Sequence, residues 1–457
     1  MPLKACCLCR FCCYCLRRMV SRVQGVPGSS RNTALTKAVL RCFRQVVLLQ
    51  SSCVRLIVSY FKVYLAIDTM SSMLTRVLVL LLFTLEELKT TEASCDCSAS
   101  TCRCEGLSLS RIPQDLPTTI TSLHVEYNNI TALRTEDFTR YRNLSSLYLP
   151  DNRLFVIRSR AFYHLTNLTS MDLRWNKLTC LNADTFVGLG GLQALNLDYN
   201  EIEDIEEGTF DESPRLVHLL LGSNRLSSIS PGSFTGLNQL QLLDLFSNQI
   251  TYIQPGTFSN LPQLKHLYLY QNGITYIHPD TFTNLSHLQL LSLFSNKITE
   301  IQPGTFTDLP QLQELDLDFN HITNIHPGAF SNLSQLEYLG LGHNQMEILP
   351  LTICHELHVS SVPTLILNNN PWQCDCRIIS LSLQKGMCGF CSPEITDQIT
   401  CTKPDKFRGQ KLKDINVTDL NCTEVGHSNS ATIQQHHPYV LHLLLSVLLL
   451  KSYSFVS

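Results

Sequence analysis

An asparagine recurs every 24 residues through the middle of this chain, and that period limits the fold more than any other feature. The series comprises Asn128, Asn152, Asn176, Asn200, Asn224, Asn248, Asn272, Asn296, Asn320 and Asn344. A phenylalanine follows ten residues after each of the first nine asparagines, from Phe138 to Phe330. A fixed period of this length is typical of units that stack only on their neighbours, so the sequence predicts a one-dimensional solenoid.

The residues before each asparagine alternate between apolar and variable types, as in a short strand with one buried face. In the unit that ends at Asn248, the alternation predicts that Leu243 and Leu245 point into the core. The outward positions are Leu242, Asp244 and Phe246. The asparagine itself can donate to and accept from backbone groups where the strand turns away, so the series predicts a buried polar ladder.

The consensus LxxLxLxxNxIxxIxPGxFxxLxx resembles the leucine-rich repeat. The resemblance implies an α/β repeat solenoid, a leucine-rich-repeat horseshoe with a parallel concave sheet. The repeats are expected over residues 122–361. An array of this kind needs a cap at each end, because its terminal units would otherwise expose their apolar faces.

Cysteine clusters mark both expected caps, residues 94–121 and residues 362–423. Beside a secretory signal, such clusters indicate disulfides and not metal sites. They look like the cysteine caps of extracellular leucine-rich-repeat proteins. That resemblance implies the pairs Cys95–Cys102, Cys97–Cys104, Cys374–Cys401 and Cys376–Cys422. The pairing of Cys180, Cys354, Cys388 and Cys391 stays open.

The two ends of the chain predict secretion and anchoring. Residues 70–93 have the layout of a signal peptide, so residues 1–69 are expected to be an upstream extension absent from the mature protein. Residues 424–439 form a short linker with small residues, and residues 440–457 form an apolar tail too short to span a bilayer as a helix. This order predicts a GPI anchor at Asn429, with Ser428 and Ser430 as neighbouring alternatives.

Asn-x-Ser/Thr sequons agree with the secretory route. The predicted glycosylation sites are Asn129, Asn143, Asn167, Asn284, Asn332 and Asn416. Asn421 also lies in a sequon, but it adjoins Cys422 and is the least favoured.

The outward strand positions predict where a ligand binds. Aromatic and apolar residues cluster there over four adjacent repeats, beside an acidic pair, and such patches usually mark interaction sites. The predicted ligand-binding residues are Leu220, Leu242, Asp244, Phe246, Tyr268, Tyr270, Leu290, Phe294, Asp316 and Asp318. Phe246, Tyr270 and Phe294 share one repeat position, so they are expected to stack at about the 4.8 Å strand spacing.

Catalysis, cofactors, metals and nucleic acids are not expected. His355 and His358 are one residue too close for the HExxH zinc motif, and no nucleophile or phosphate-binding motif is present. From residue 70 onward the chain has 24 Lys and Arg against 37 Asp and Glu, which does not suit a nucleic-acid partner.

Repeats, caps, signal and tail together resemble the variable lymphocyte receptors of jawless vertebrates. The resemblance implies a GPI-anchored receptor on the extracellular face of the plasma membrane that recognises microbial surface glycans or protein antigens. A separate signalling co-receptor would be needed, because a GPI-anchored chain has no cytoplasmic domain. The alternative is an adhesion or guidance receptor similar to Nogo receptors, which bind protein ligands. A matrix protein of the small proteoglycan kind fits the predicted anchor poorly.

Overall fold

A computed structural model of the chain describes residues 94–348, 353, 356–357, 364–375, 397–416 and 419. Its main element is a 13-stranded sheet. In spatial order the strands are β1 (Asp96–Cys97), β2 (Thr101–Arg103), β3 (Ser122–His124), β5 (Ser146–Tyr148), β7 (Ser170–Asp172), β9 (Ala194–Asn196), β11 (His218–Leu220), β12 (Leu242–Asp244), β13 (His266–Tyr268), β14 (Leu290–Ser292), β16 (Glu314–Asp316), β18 (Tyr338–Gly340) and β19 (Thr364–Ile366).

Four two-stranded sheets accompany it, three behind the main sheet and one in the C-terminal cap. Their strands are β4 (Ala132–Leu133) with β6 (Val156–Ile157), β8 (Cys180–Leu181) with β10 (Asp204–Ile205), β15 (Glu300–Ile301) with β17 (Asn324–Ile325), and β20 (Trp372–Gln373) with β21 (Cys401–Lys403). Helical structure is brief: α1 (Thr135–Phe138) and 3₁₀ turns at Pro279–Phe282, Asp405–Phe407 and Leu412–Asp414.

The main sheet is parallel from β2 onward, and each strand pairs with the equivalent residues of the next repeat. Leu219 pairs with Leu243, and Leu243 pairs with Leu267. These leucines are fully buried, whereas Leu242 and Asp244 are half-buried on the opposite face. The predicted leucine-rich-repeat solenoid with a parallel concave sheet is therefore confirmed.

The asparagine ladder holds each turn to the next. Asn248 Nδ2 donates to the carbonyls of Leu221 and Leu245 at 2.9 and 3.1 Å, while its Oδ1 accepts from Leu226 N at 3.0 Å. The same pattern recurs at Asn224 and Asn272. Because these backbone groups are buried, the side chains supply partners that no strand provides there.

The phenylalanines form a second ladder inside the convex side. Phe138 to Phe330 are all buried, and neighbouring rings such as Phe306 and Phe330 stack with centroids 5.7 Å apart. One large apolar group per turn fills the space between the sheet and the returning chain. This layer stabilises the solenoid only when several turns are stacked.

The N-terminal cap corrects the disulfide pairing that the family resemblance implied. Cys95 is bonded to Cys104, and Cys97 is bonded to Cys102, so Cys95–Cys102 and Cys97–Cys104 were wrong. The physical reason is the antiparallel pairing of β1 with β2, which places Cys97 opposite Cys102 with their Cα atoms 4.1 Å apart. In such a hairpin, cross-strand partners are nested and do not cross.

In the C-terminal cap the predicted Cys374–Cys401 bond is confirmed, and it joins the residue after β20 to the first residue of β21. Cys180 is exposed and forms no disulfide. The remaining predicted or open cysteines, Cys354, Cys376, Cys388, Cys391 and Cys422, lie outside the described residues.

The predicted extension, signal peptide and anchor tail, residues 1–69, 70–93 and 440–457, also lie outside the described residues, as do Asn429 and the rest of the linker 424–439. Within the part of the chain that the structure describes, no helix is long and apolar enough to cross a membrane.

Candidate ligand-binding surface

The concave sheet brings all ten predicted ligand-binding residues onto one face. Each side chain is partly exposed, because strand alternation turns it away from the leucine core. Those in the strands are Leu220, Leu242, Asp244, Tyr268, Leu290 and Asp316, and those two residues further on are Phe246, Tyr270, Phe294 and Asp318.

The expected stack of three rings forms only in part. Phe246 and Tyr270 stack with centroids 5.1 Å apart and planes 13° apart. Phe294 instead contacts Phe319, with centroids 5.1 Å apart and planes tilted by 56°. The repeat fixes the backbone positions of the three residues, but the ring of Phe294 turns towards Phe319, which belongs to a different repeat position.

The position directly before each ladder asparagine carries further aromatic side chains, which the alternation of the strands did not predict. Trp175 is 51% exposed and stacks on Tyr199 with centroids 4.0 Å apart. Both residues have a positive backbone φ, 55° and 54°, which residues other than glycine rarely adopt. The repeat phase itself was a signal for these residues, since Trp175 and Tyr199 are 24 residues apart.

Gly222 allows the Trp175–Tyr199 pair to meet the Phe246–Tyr270 pair. The Phe246 ring occupies the space where a side chain at position 222 would stand, and it reaches Tyr199 edge-on with centroids 6.1 Å apart. We call the resulting set Trp175, Tyr199, Phe246, Tyr268 and Tyr270 the aromatic surface. Its rings form one connected series of contacts across the concave face.

A second aromatic pair lies towards the C-terminal end. Phe319 and His343 stack with centroids 3.9 Å apart. They line an open groove of about 520 Å³ together with Gln271, Ser295 and Lys297. The ladder residues Asn272, Asn296 and Asn320 also line this groove.

Carboxylates flank the aromatic surface. Burial raises the pKa of Asp198 to about 6, and repulsion from Asp244 and Asp172 adds to the effect. Burial also raises the pKa of Asp244 to about 6. Asp198 accepts from Gly222 N at 2.7 Å, and Asp244 accepts from Phe246 N at 3.0 Å. These two hydrogen bonds therefore hold the carboxylates against the backbone beneath the rings.

The predicted acidic pair forms a separate cluster. Asp318 accepts from Gly342 N at 2.6 Å, and the hydroxyl of Tyr338 also donates to it. Burial, followed by repulsion from Asp318 and Glu314, raises the pKa of Asp316 to about 6. A β-carbon at position 340 would stand 2.8 Å from an oxygen of each aspartate, so Gly340 leaves room for both.

The predicted glycosylation sites lie off this surface where the structure describes them. Asn143, Asn167, Asn284, Asn332 and Asn416 are exposed, and none belongs to a strand of the main sheet. Asn129 is half-buried beside the ladder. Glycans at the exposed positions would leave the concave face accessible, and their occupancy stays a prediction.

The sequence matches the leucine rich repeat family over residues 118–178, 142–202, 191–250, 247–298 and 290–346. The chain belongs to the leucine-rich-repeat family. Asporin from Bos taurus is 39% identical over 57 residues, which are 12% of this chain and 15% of asporin. Trophoblast glycoprotein from Macaca fascicularis is 28% identical over 110 residues, which are 24% of this chain and 26% of that protein. The chain thus spans about a quarter or less of the length of these curated relatives.

A solved structure matches over more of the chain. It belongs to an octameric complex of latrophilin 3, Unc5D and FLRT2, in which FLRT2 contributes leucine-rich repeats. The similarity has a TM-score of 0.61 at 29% identity, and it covers 72% of this chain and 98% of that one. These comparisons show the leucine-rich-repeat fold. The finer resemblances to variable lymphocyte receptors and Nogo receptors stay predictions.

Proposed function

We propose that this protein is a cell-surface recognition receptor that binds a protein ligand on its concave face, and that it binds without catalysis. The observation that carries the proposal is the connected aromatic surface, which is partly exposed and bordered by carboxylates. Large exposed rings on a rigid scaffold are typical anchors of protein interfaces. The solenoid supplies that rigidity, because each inner strand of the main sheet is hydrogen-bonded to two neighbours.

The charges favour a ligand that presents lysine or arginine. Among the described residues, Asp244 and Asp316 form no ion pair, whereas Asp172 contacts Arg174 at 3.2 Å. A cationic side chain of the ligand placed among these groups could donate hydrogen bonds to the carboxylates and form cation–π contacts with the nearby rings. Cationic groups on the ligand would therefore compensate the burial that keeps the pKa of Asp244 high.

The likeness to the FLRT2-containing complex supports a protein ligand, since that complex joins leucine-rich repeats to other extracellular proteins. An immune receptor for microbial surface glycans or protein antigens is the second candidate. The exposed faces of Trp175 and Tyr199 favour it, because sugars pack on aromatic rings and their hydroxyls bond to carboxylates.

A GPI anchor at Asn429 is part of the proposal, and it places the protein on the extracellular face of the plasma membrane. Signalling would then pass through a separate co-receptor. Phosphatidylinositol-specific phospholipase C should release the protein from intact cells. Retention on the cell surface after treatment would exclude this anchor.

Binding of the purified protein to an array of extracellular proteins, whole bacteria and isolated cell-wall components tests the function. The variant Tyr268→Ala/Tyr270→Ala should lose at least about tenfold in affinity, because truncating even one hot-spot aromatic costs about 2 kcal/mol and a tenfold change corresponds to about 1.4 kcal/mol. Tyr252→Ala is the matched control, because Tyr252 is 43% exposed and lies outside the main sheet. Saturable binding to a protein that depends on Tyr268 and Tyr270 supports the proposal. Binding to bacteria alone would favour the second candidate, and equal binding by both variants would exclude this surface.

A further inference from the structure

Three potential metal ligands lie together at the N-terminal end of the concave sheet. Glu105 follows β2, His124 ends β3, and Glu126 comes two residues later. One ligand atom from each residue lies within 4.8 Å of the others. The parallel pairing of β2 with β3 aligns Arg103 with His124, so Glu105 and Glu126 extend from equivalent positions in neighbouring strands.

The histidine is held in place from two sides. Its ring stacks on Tyr148 with centroids 4.4 Å apart, and its Nε2 lies 3.2 Å from Ser122 Oγ. Its Nδ1 lies 2.9 Å from Glu126 Oε1. Without metal, the 2.9 Å contact needs a proton between Nδ1 and Glu126 Oε1, and a bound ion would take the place of that proton while Nε2–H donates to Ser122. Metal-binding histidines commonly use their second ring nitrogen in this way.

Glu126 supplies an independent reason to expect a cation. Its Oε2 is buried and has no hydrogen-bond partner, although the carboxylate can accept at both oxygens. Leaving a buried charged oxygen unpaired is unfavourable, and a bound cation would satisfy it. The nearest cationic side chain in the cluster, Arg103, contacts Glu105 Oε1 at 2.9 Å in an exposed ion pair. That contact leaves Glu105 with a second oxygen for a ligand.

We propose that Glu105, His124 and Glu126 bind a divalent first-row transition metal, with zinc as the representative ion. One imidazole nitrogen with two carboxylates suits such ions, whereas calcium prefers oxygen ligands alone. Three protein ligands leave a fourth position for water or for a group on a ligand at the concave face. The ion would also join the N-terminal cap to the first repeat, since its ligands come from both.

Calorimetric titration of the full-length protein with zinc chloride, after removal of metal with EDTA, tests the proposal. Glu126→Gln, His124→Gln and Glu105→Gln should each weaken the zinc site at least about tenfold. His218→Gln is the control, because His218 is an exposed histidine on the same sheet. Zinc should raise the melting temperature of the wild type and of the control, but not of the three variants.

Comparison among variants separates this site from zinc binding by free cysteines, which all of them retain. Glu105 is exposed, so Glu105→Gln is expected to fold normally and to melt like the wild type without metal. Equal zinc titrations for the wild type and the three variants would overturn the proposal. Calcium binding as tight as zinc binding would overturn the assignment to a transition metal.

Discussion

The ring of Phe246 lies over Gly222, in the space that a side chain there would fill. A β-carbon at position 222 would stand 1.9 Å from Cε1 of that ring. Because the glycine leaves this space open, Phe246 reaches Tyr199 on one side while it stacks on Tyr270 on the other. The connected aromatic surface therefore depends on the one residue in its path that has no side chain.

Gly222→Ala should break this surface with little effect on the fold. The new methyl group would stand 1.9, 2.1 and 2.9 Å from three atoms of the Phe246 ring, so the ring must turn away. Overpacking of this kind costs about 1–3 kcal/mol, which the solenoid can absorb without unfolding. Near-ultraviolet circular dichroism should report the lost ring contacts. Gly273→Ala is the control, since its added carbon would have its nearest neighbour at 3.4 Å. Identical spectra for wild type and Gly222→Ala would contradict the expected displacement.

Asn248→Ala should destabilise the solenoid. Each buried backbone group that is left without a partner costs about 1–3 kcal/mol. The substitution removes the acceptor of Leu226 N–H and the donor to the carbonyls of Leu221 and Leu245. Urea unfolding followed by circular dichroism measures the loss. Asn238→Ala, at an exposed position, should change the midpoint little. Equal midpoints for the two variants would mean that the ladder does not hold the turns together.

Three aspartates of the concave face should contribute stability at about pH 4 that is lost as the pH rises through about 6. Burial raises the pKa of Asp198, Asp244 and Asp316 to about 6 in the folded protein, from an ordinary value of 3.8. The folded state therefore binds more protons than the unfolded state in this interval, and ionisation above it favours unfolding. Ligand affinity for a cationic partner should change in the opposite sense, since ionised aspartates bind it better.

Asp244→Asn isolates this effect, because the amide oxygen can still accept from Phe246 N. Thermal unfolding should show a gain in stability at pH 7.5 that largely disappears at pH 4. Asp308→Asn serves as the control at an exposed position outside the strands. A gain for Asp244→Asn that is the same at both pH values would argue against the raised pKa.

The nested disulfides can be mapped by cleavage before Asp96 and after Arg103. With Cys97 bonded to Cys102, the fragment 96–103 is released with an internal bond, and Cys95 stays attached to Cys104. The alternative pairing would hold all three pieces together until reduction. Mass spectrometry of the unreduced digest distinguishes the two results, and a linked three-part fragment would refute the nested arrangement.

The repeat pattern alone predicted the parallel sheet, the buried leucines and the asparagine ladder. Each of these depends on local alternation and on stacking of identical units, so position within the period fixes the environment. Leu243, Asn248 and Phe258 are buried as their positions require. The same alternation correctly placed Phe246 and Tyr270 on the concave face.

Tertiary structure decided which of those side chains touch, because contact depends on neighbours in other turns. Trp175 and Tyr199 join the candidate surface through a positive-φ position that strand alternation does not describe. The antiparallel hairpin reversed the cysteine pairing that the resemblance implied. Glu105 and His124 lie close only because β2 and β3 are adjacent. The sequence by itself determined which residues are buried and which lie on the concave face, since the period encodes both. The contacts among exposed side chains required the structure, since they depend on ring orientation and on the space that Gly222 leaves.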